Sequence, residues 1–291
     1  IKRKFKKTKI TTLMVISSII YLSPYFRTSA YWGLEENLSL IFMMLSYLSL
    51  DYVLNTSGKN NKKILFSVFT LTLLSSLTLY FDSKLIIIPF ICFLQVILSK
   101  MNLKYKLYLV VLYIIFSLPF FYFVAIWGNI VPPSAQETRL VGSILMPENI
   151  GYSMAIIAFY LFPLFFFKEN ILIEIRNFLK NKNNIFFFII FLFFLLFLIL
   201  NFDFENQEIL GKGILHKLSL ILFEKIFYQK IFTYFGFLMS FIVVLFYFNR
   251  GIVNITTLTF FIFFSLISYP ILQEYFDPIM LLMIFTFLNI S

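Results

Sequence analysis

The chain has 291 residues, of which 60% are hydrophobic, 21% aromatic and 13% charged, with a mean hydropathy of +0.91. Soluble domains are about 45–50% apolar and about 25% charged, so a soluble globular enzyme is excluded, as is a disordered chain, whose mark is low hydrophobicity. The net charge of +10 does not point to nucleic acid in so apolar a protein; it fits the Lys/Arg excess of cytoplasmic loops.

Apolar runs bounded by charge or turn residues predict ten membrane spans. They are Ile10–Pro24, Leu38–Leu54, Ile64–Phe81, Leu85–Leu98, Leu107–Trp127, Ile150–Phe167, Ile185–Leu200, Ile231–Phe248, Ile252–Leu272 and Pro278–Ile290. A spanning helix uses about 20 apolar residues, so the shorter runs, Ile10–Pro24 and Leu85–Leu98, are expected to tilt or re-enter against neighbours. The fold class is therefore all-α: a polytopic bundle forming one transmembrane domain over residues 1–291. The chain opens on Ile1 with six Lys or Arg in its first nine residues. That start looks like a cytoplasmic loop, and one or more helices and an outer loop are expected to precede it.

Charge gives the direction. With the N-terminal stretch inside and ten spans alternating, 17 of the 24 Lys and Arg fall on the cytoplasmic side and 7 outside, whereas 11 of the 14 acids fall outside. This split is the positive-inside pattern. Acids, the one histidine and the Pro–Pro pair collect on the outer or lumenal face, which is where chemistry is expected.

Five stretches could carry it. The first, Ser23–Leu40, sets Arg27, Tyr31, Trp32, Glu35 and Glu36 before an apolar helix. Read plainly, it is an interfacial aromatic belt with acids at a helix N-terminus. Read as a site, Glu36 holds a sugar hydroxyl. The second, Tyr80–Leu85, places Asp82 and Lys84 at membrane depth, where ionisable groups are costly and default to functional candidates; a local pair at a hairpin tip explains them equally. The third, Ile126–Ser153, turns at Gly128–Asn129, breaks at Pro132–Pro133, and carries Gln136, Glu137 and Arg139. It ends with Asn149 as a predicted helix cap.

The fourth, Gly211–Lys230, reads as one amphipathic helix in the outer interface. Apolar Ile214, Leu215, Leu218, Ile221, Leu222 and Phe223 alternate with Lys212, His216, Lys217, Glu224 and Lys225. His216 is either incidental there or, with Lys217, grips a phosphate at headgroup depth. The fifth, Ser268–Pro278, gathers Gln273, Glu274, Tyr275 and Asp277. Cys92 stands alone in an apolar run, so neither an intramolecular disulfide nor a thiolate metal cluster is expected. There is no P-loop, GxGxxG, HExxH or GxSxG. No cofactor or metal-ligand pattern is legible, and metal dependence stays open.

In their order, Tyr31–Trp32 with Glu36, Gly128–Asn129–Ile130–Val131, Pro147, His216 at the head of LHKLSLILFEK, and Pro270 with Tyr275–Phe276 resemble the GT-C class of membrane glycosyltransferases. Within that class the likeness is to the alpha-1,2-glucosyltransferases of lipid-linked oligosaccharide assembly and their bacterial relatives. The resemblance implies a hexosyltransferase that takes sugar from a polyprenyl-phosphate-sugar donor and passes it to a glycan or lipid-linked acceptor at the outer face. The setting would be a bacterial inner membrane, or the endoplasmic reticulum membrane in a eukaryote, with membrane lipid as partner and no nucleic acid.

It also implies a catalytic acid in a first outer loop, upstream of Ile1. Lys212, His216, Lys217 and Arg139 then become donor-phosphate candidates. Glu36, Tyr31, Trp32, Asp82, Glu137 and Asp277 become candidates for orienting sugar or acceptor. One departure is clear: after Phe81, where that family has a basic, amide-rich motif, this chain has Asp82–Ser83–Lys84. Two other classes share part of the pattern. A transporter or flippase of lipid-linked sugars predicts internal repeats and midplane charges, which are not seen. An O-antigen-type polymerase or ligase would use outer Arg and His, here Arg139 and His216.

Overall fold

The computed structural model describes residues 14, 18, 35–55, 61–81, 83–128, 133, 145–167, 171–201, 213–249, 251–267, 276 and 279–288. Every regular element among them is helical, and six helices are long and apolar enough to cross a membrane. The chain divides into two compact units, the first built from residues 1–138 and 277–289 and the second from residues 139–276.

The first unit contains α1 (Glu35–Asn55), α2 (Asn61–Phe81), α3 (Ile87–Leu98), α4 (Leu103–Trp127) and the short α11 (Ile279–Phe285). α1 and α2 pack closely because α2 offers small residues: Ser67, Thr72, Ser75, Ser76 and Thr78 are all buried. Small side chains let helices approach in a solvent that supplies no hydrophobic drive between them. Their hydroxyls do not go unpaired, since Ser67 and Ser75 donate back to the carbonyls of Lys63 and Leu71 at 2.6 and 2.8 Å. Ser75 also meets the Tyr113 hydroxyl of α4 at 2.8 Å. A 3-10 turn, Ser83–Ile86, links α2 to α3.

α3 ends because Lys106 reaches back. Its ammonium donates to the carbonyls of Ile97 and Ser99, each at 2.7 Å, which satisfies acceptors that a helix C-terminus leaves open. Asn102 starts α4 by accepting from the backbone N–H of Lys104 at 3.0 Å, and Gly128 ends it in the left-handed region at φ +65°. Along α4, Leu107, Val111, Ile114, Leu118, Phe121 and Ile126 are exposed. In water such a surface would be an association patch; on a 25-residue apolar helix it is a lipid-facing flank.

The second unit is built around α5 (Glu148–Leu161), which continues as a 3-10 segment, Phe162–Phe167. Around it stand α6 (Ile171–Lys180), α7 (Lys182–Asn201), α8 (Gly213–Leu222), α9 (Ile226–Phe248) and α10 (Ile252–Ile267). Within the span Glu148–Phe165, 67% of the residues are buried, the largest share of the six. α5 and α9 approach at Gly151, where an added Cβ would lie 2.3 Å from the Phe237 ring. α8 meets α9 at Gly236 in the same way, against the Leu215 side chain at 2.6 Å. α7 joins α9 through Phe191 and Phe241, whose rings stack at 4.0 Å.

Six of the ten expected spans correspond to the six long helices: those beginning at Leu38, Ile64, Leu107, Ile150, Ile185 and Ile231. Three others appear as shorter helices: α3 with 12 residues, α10 with 16 and α11 with 7. The expected span Ile10–Pro24 lies outside the described residues, apart from residues 14 and 18.

Three local expectations need correction. Gly211–Lys230 is not one helix: α8 stops at Leu222, and residues 226–230 are the first turns of α9. The break is held by Gln229, whose side-chain amide donates to the Phe223 carbonyl at 2.7 Å. Asn149 is not a cap, since α5 begins at Glu148 behind Pro147, which makes no side-chain cap, and Asn149 is itself buried. Finally, the connection after Phe167 contains α6, which the span count passed over because its apolar residues are interleaved with charge.

Candidate functional site

Glu148 and Tyr152 are four residues apart on α5 and so share one face of the helix. α8 contributes His216 and Ser219, three apart and both buried. α9 contributes Thr233, Tyr234 and Phe237, again on one face and all buried. The three faces converge at one end of the second unit. The His216 and Tyr152 rings lie edge to face at 6.1 Å. Tyr152 meets Phe237 at 4.9 Å, and Phe237 meets Tyr234 at 5.8 Å. Glu148 is within electrostatic reach of both the Tyr152 and the Tyr234 hydroxyl.

Close backbone approach makes this convergence possible. Gly151, beside Tyr152, admits the Phe237 ring, and Gly213, at φ +69°, sits against Ile156 so that α8 starts hard on α5. α8 turns His216 and Ser219 inward, while Leu218, Ile221 and Leu222 are exposed. The Ser219 hydroxyl is used internally, donating to the His216 carbonyl at 2.7 Å.

Two polar atoms in the cluster are buried without a hydrogen-bond partner among the described residues: Oε2 of Glu148 and Oγ1 of Thr233. Native proteins satisfy almost all such atoms, and a buried carboxylate oxygen is the costlier of the two. The Glu148 carboxylate, the Tyr152 and Tyr234 side chains and the His216 ring are thus linked as neighbours, and the buried oxygens of Glu148 and Thr233 are left to a polar group not among the described residues.

Of the residues singled out by sequence, His216 lies within this cluster. Lys217 is its neighbour on α8 but is exposed, since consecutive helical residues point about 100° apart. Glu36 lies in the first turn of α1, in the first unit. Tyr31, Trp32, Asp82, Glu137, Arg139, Lys212 and Asp277 lie outside the described residues. Sequence reading missed Glu148, Tyr152, Thr233 and Tyr234 as a group. A signal was present, because Glu148-x-x-x-Tyr152 and His216-x-x-Ser219 both carry polar residues at helical spacing inside apolar surroundings.

Elsewhere, a cavity of about 660 Å3 lies between α1 and α2, lined by Leu48, Tyr52, Lys62, Lys63, Phe66 and Thr70. Its lysines are exposed, and Ser67, the buried polar residue in its lining, already donates to the Lys63 carbonyl, so no buried polar group there asks for a ligand. Among the described residues no three His, Cys, Asp or Glu come together as metal ligands. The chain matches no known family, no curated protein and no solved structure.

Proposed function

We propose that this chain is a membrane glycosyltransferase that moves a sugar from a polyprenyl-phosphate-sugar donor to an acceptor hydroxyl. The observation that carries the reading is the buried, partnerless carboxylate oxygen of Glu148, within electrostatic reach of Tyr152 and Tyr234, with the His216 ring against that of Tyr152. Ionisable groups inside an apolar bundle are expensive and mark sites by default. The charge distribution assigns this end of the second unit to the outer side, the side on which lipid-linked sugars present their headgroups to such enzymes in the family the sequence resembles.

Each residue has a role in that reaction. Glu148 takes the proton from the acceptor hydroxyl. The freed oxygen forms a bond to the anomeric carbon as the bond from that carbon to the phosphate oxygen breaks. Polyprenyl phosphate leaves with the electron pair, and His216 donates to a phosphate oxygen as charge builds there. Tyr152, Tyr234 and Thr233 hold sugar hydroxyls. Lys217, on the exposed side of α8, supplies positive charge at the rim.

The test uses the chain reconstituted in liposomes with a radiolabelled short-chain polyprenyl-phosphate-hexose and a membrane-lipid extract as the acceptor source. Glu148→Gln keeps the shape and removes the base, so transfer falls by about a hundredfold or more. His216→Ala falls by a similar factor, and Lys62→Ala stays near the parent rate. If labelled donor instead crosses to the opposite leaflet with its sugar–phosphate bond intact, the protein is a carrier of lipid-linked sugar and the proposal fails.

A further inference from the structure

α6 differs from the other helices: none of its ten residues is buried, yet five of them are Ile or Leu. Phe178 is turned toward the second unit, its ring 5.4 Å from that of Phe246, and the Phe178 carbonyl accepts from the Asn184 side chain at 2.9 Å. Ile171, Glu174 and Ile175 share its half-buried face, and the other side of the helix faces out. Leu172, Ile173 and Leu179 are 79%, 60% and 61% exposed. Arg176 and Lys180, one turn apart, are exposed on a neighbouring stripe. Lys182 follows at the start of α7, and Glu174 is the single acid of the helix.

Beside that stripe is a cleft of about 160 Å3 between α6, α7 and α9, lined by Phe178, Leu179, Ile185, Phe188, Ile242 and Leu245. Apart from Asn184, every residue lining it is apolar. Leu179, which lines the cleft, is next in sequence to Lys180, and cations adjoining a narrow apolar cleft complement a molecule with a negative head and a hydrocarbon tail.

We infer that α6 and the cleft beneath it form a binding site for an anionic phospholipid, its phosphate on Arg176, Lys180 and Lys182 and an acyl chain between Leu179, Phe188 and Ile242. Exposed leucines beside basic residues on a short helix are the pattern of an element lying in a leaflet surface. Basic residues at that depth select negatively charged headgroups. The charge count assigns this end of the chain to the cytoplasmic side, the face opposite the Glu148 cluster. The site therefore stands whether or not sugar transfer is the activity.

The test places a reporter tryptophan at Leu172, with Trp32 and Trp127 replaced by Phe, in phosphatidylcholine nanodiscs. These contain a small equal fraction of either brominated phosphatidylglycerol or brominated phosphatidylcholine. Bromine quenches tryptophan only at close range, so the expected result is stronger quenching by the brominated phosphatidylglycerol. In Arg176→Gln/Lys180→Gln that preference drops by up to roughly thirtyfold, as removal of two surface cations predicts, while quenching by the brominated phosphatidylcholine is unchanged. Equal quenching by the two lipids in the parent overturns the proposal, as does a preference that survives the double substitution. Absence of quenching by either lipid also overturns it, and shows that a protein surface or a second copy of the chain covers α6.

Discussion

Where Gly151 faces Phe237, an added methyl group would come within 2.3 Å of a ring carbon, far inside van der Waals contact. The ring or the helix has to move, and forced repacking of this kind costs about 1–3 kcal/mol. Gly151→Ala is therefore expected to lower the midpoint of thermal unfolding in detergent, and Phe237→Leu in the same chain to recover part of the loss. If the double variant is no more stable than Gly151→Ala, the ring is not the obstacle. The same close contact explains what was legible at this scale. His216 stood out in the sequence because it is the single histidine. Glu148 did not, because an acid beside a proline at a helix start has an ordinary explanation as a dipole partner. Glu148 is half-buried, and only the packing of α8 and α9 on α5 closes off its Oε2 atom, which no spacing rule conveys.

At the level of elements, length and apolar run predicted the long helices well. Both ends of α4 follow from chemistry local to the chain, with an Asn cap at one and a left-handed glycine at the other. α8 was predicted to run on to Lys230 because its helical spacing of apolar residues continues into α9 without a turn signal. In water the apolar face would be buried; against lipid the apolar face stays out and the polar face goes to the protein. The end of α3 gives a direct check on such local reasoning. Lys106 makes two charge-assisted bonds to its final carbonyls, and bonds of that type contribute about 1.5–3 kcal/mol when partly shielded. Lys106→Met is expected to destabilise the first unit by roughly 1–2 kcal/mol on that scale, read as an earlier thermal midpoint. Lys106→Arg should retain most of the stability, and identical losses for both would show that the bonds contribute nothing.

For the whole molecule, the sequence supplied class and direction. The helical membrane class follows from composition alone. Six long helices are seen among the described residues, and α3, α10 and α11 fall short of the length that a simple crossing of the bilayer requires. Periodicity cannot separate a short helix from a crossing one, which is why the nine runs among the described residues differ in the length of helix they form. Direction rests on charge and is open to measurement. A cysteine at Ser134 should react with an impermeant maleimide added from outside, and one at Asn60 should not. Cys92 is buried and leaves a low background. The reverse labelling pattern would invert both the proposed site and the proposed lipid face.

The deep burial of α5 has a consequence for how the protein is made. This helix is the least apolar of the six long ones and the one most enclosed by neighbours. Its own attraction to hydrocarbon is the weakest in the set, and the partners that enclose it, α8 and α9, are synthesised later. At the translocon α5 therefore arrives without the surfaces that will cover Asn149, Ser153 and Tyr152. Its enclosure is complete only after α9 and α10 have been made, so the centre of the second unit is covered well after its own synthesis.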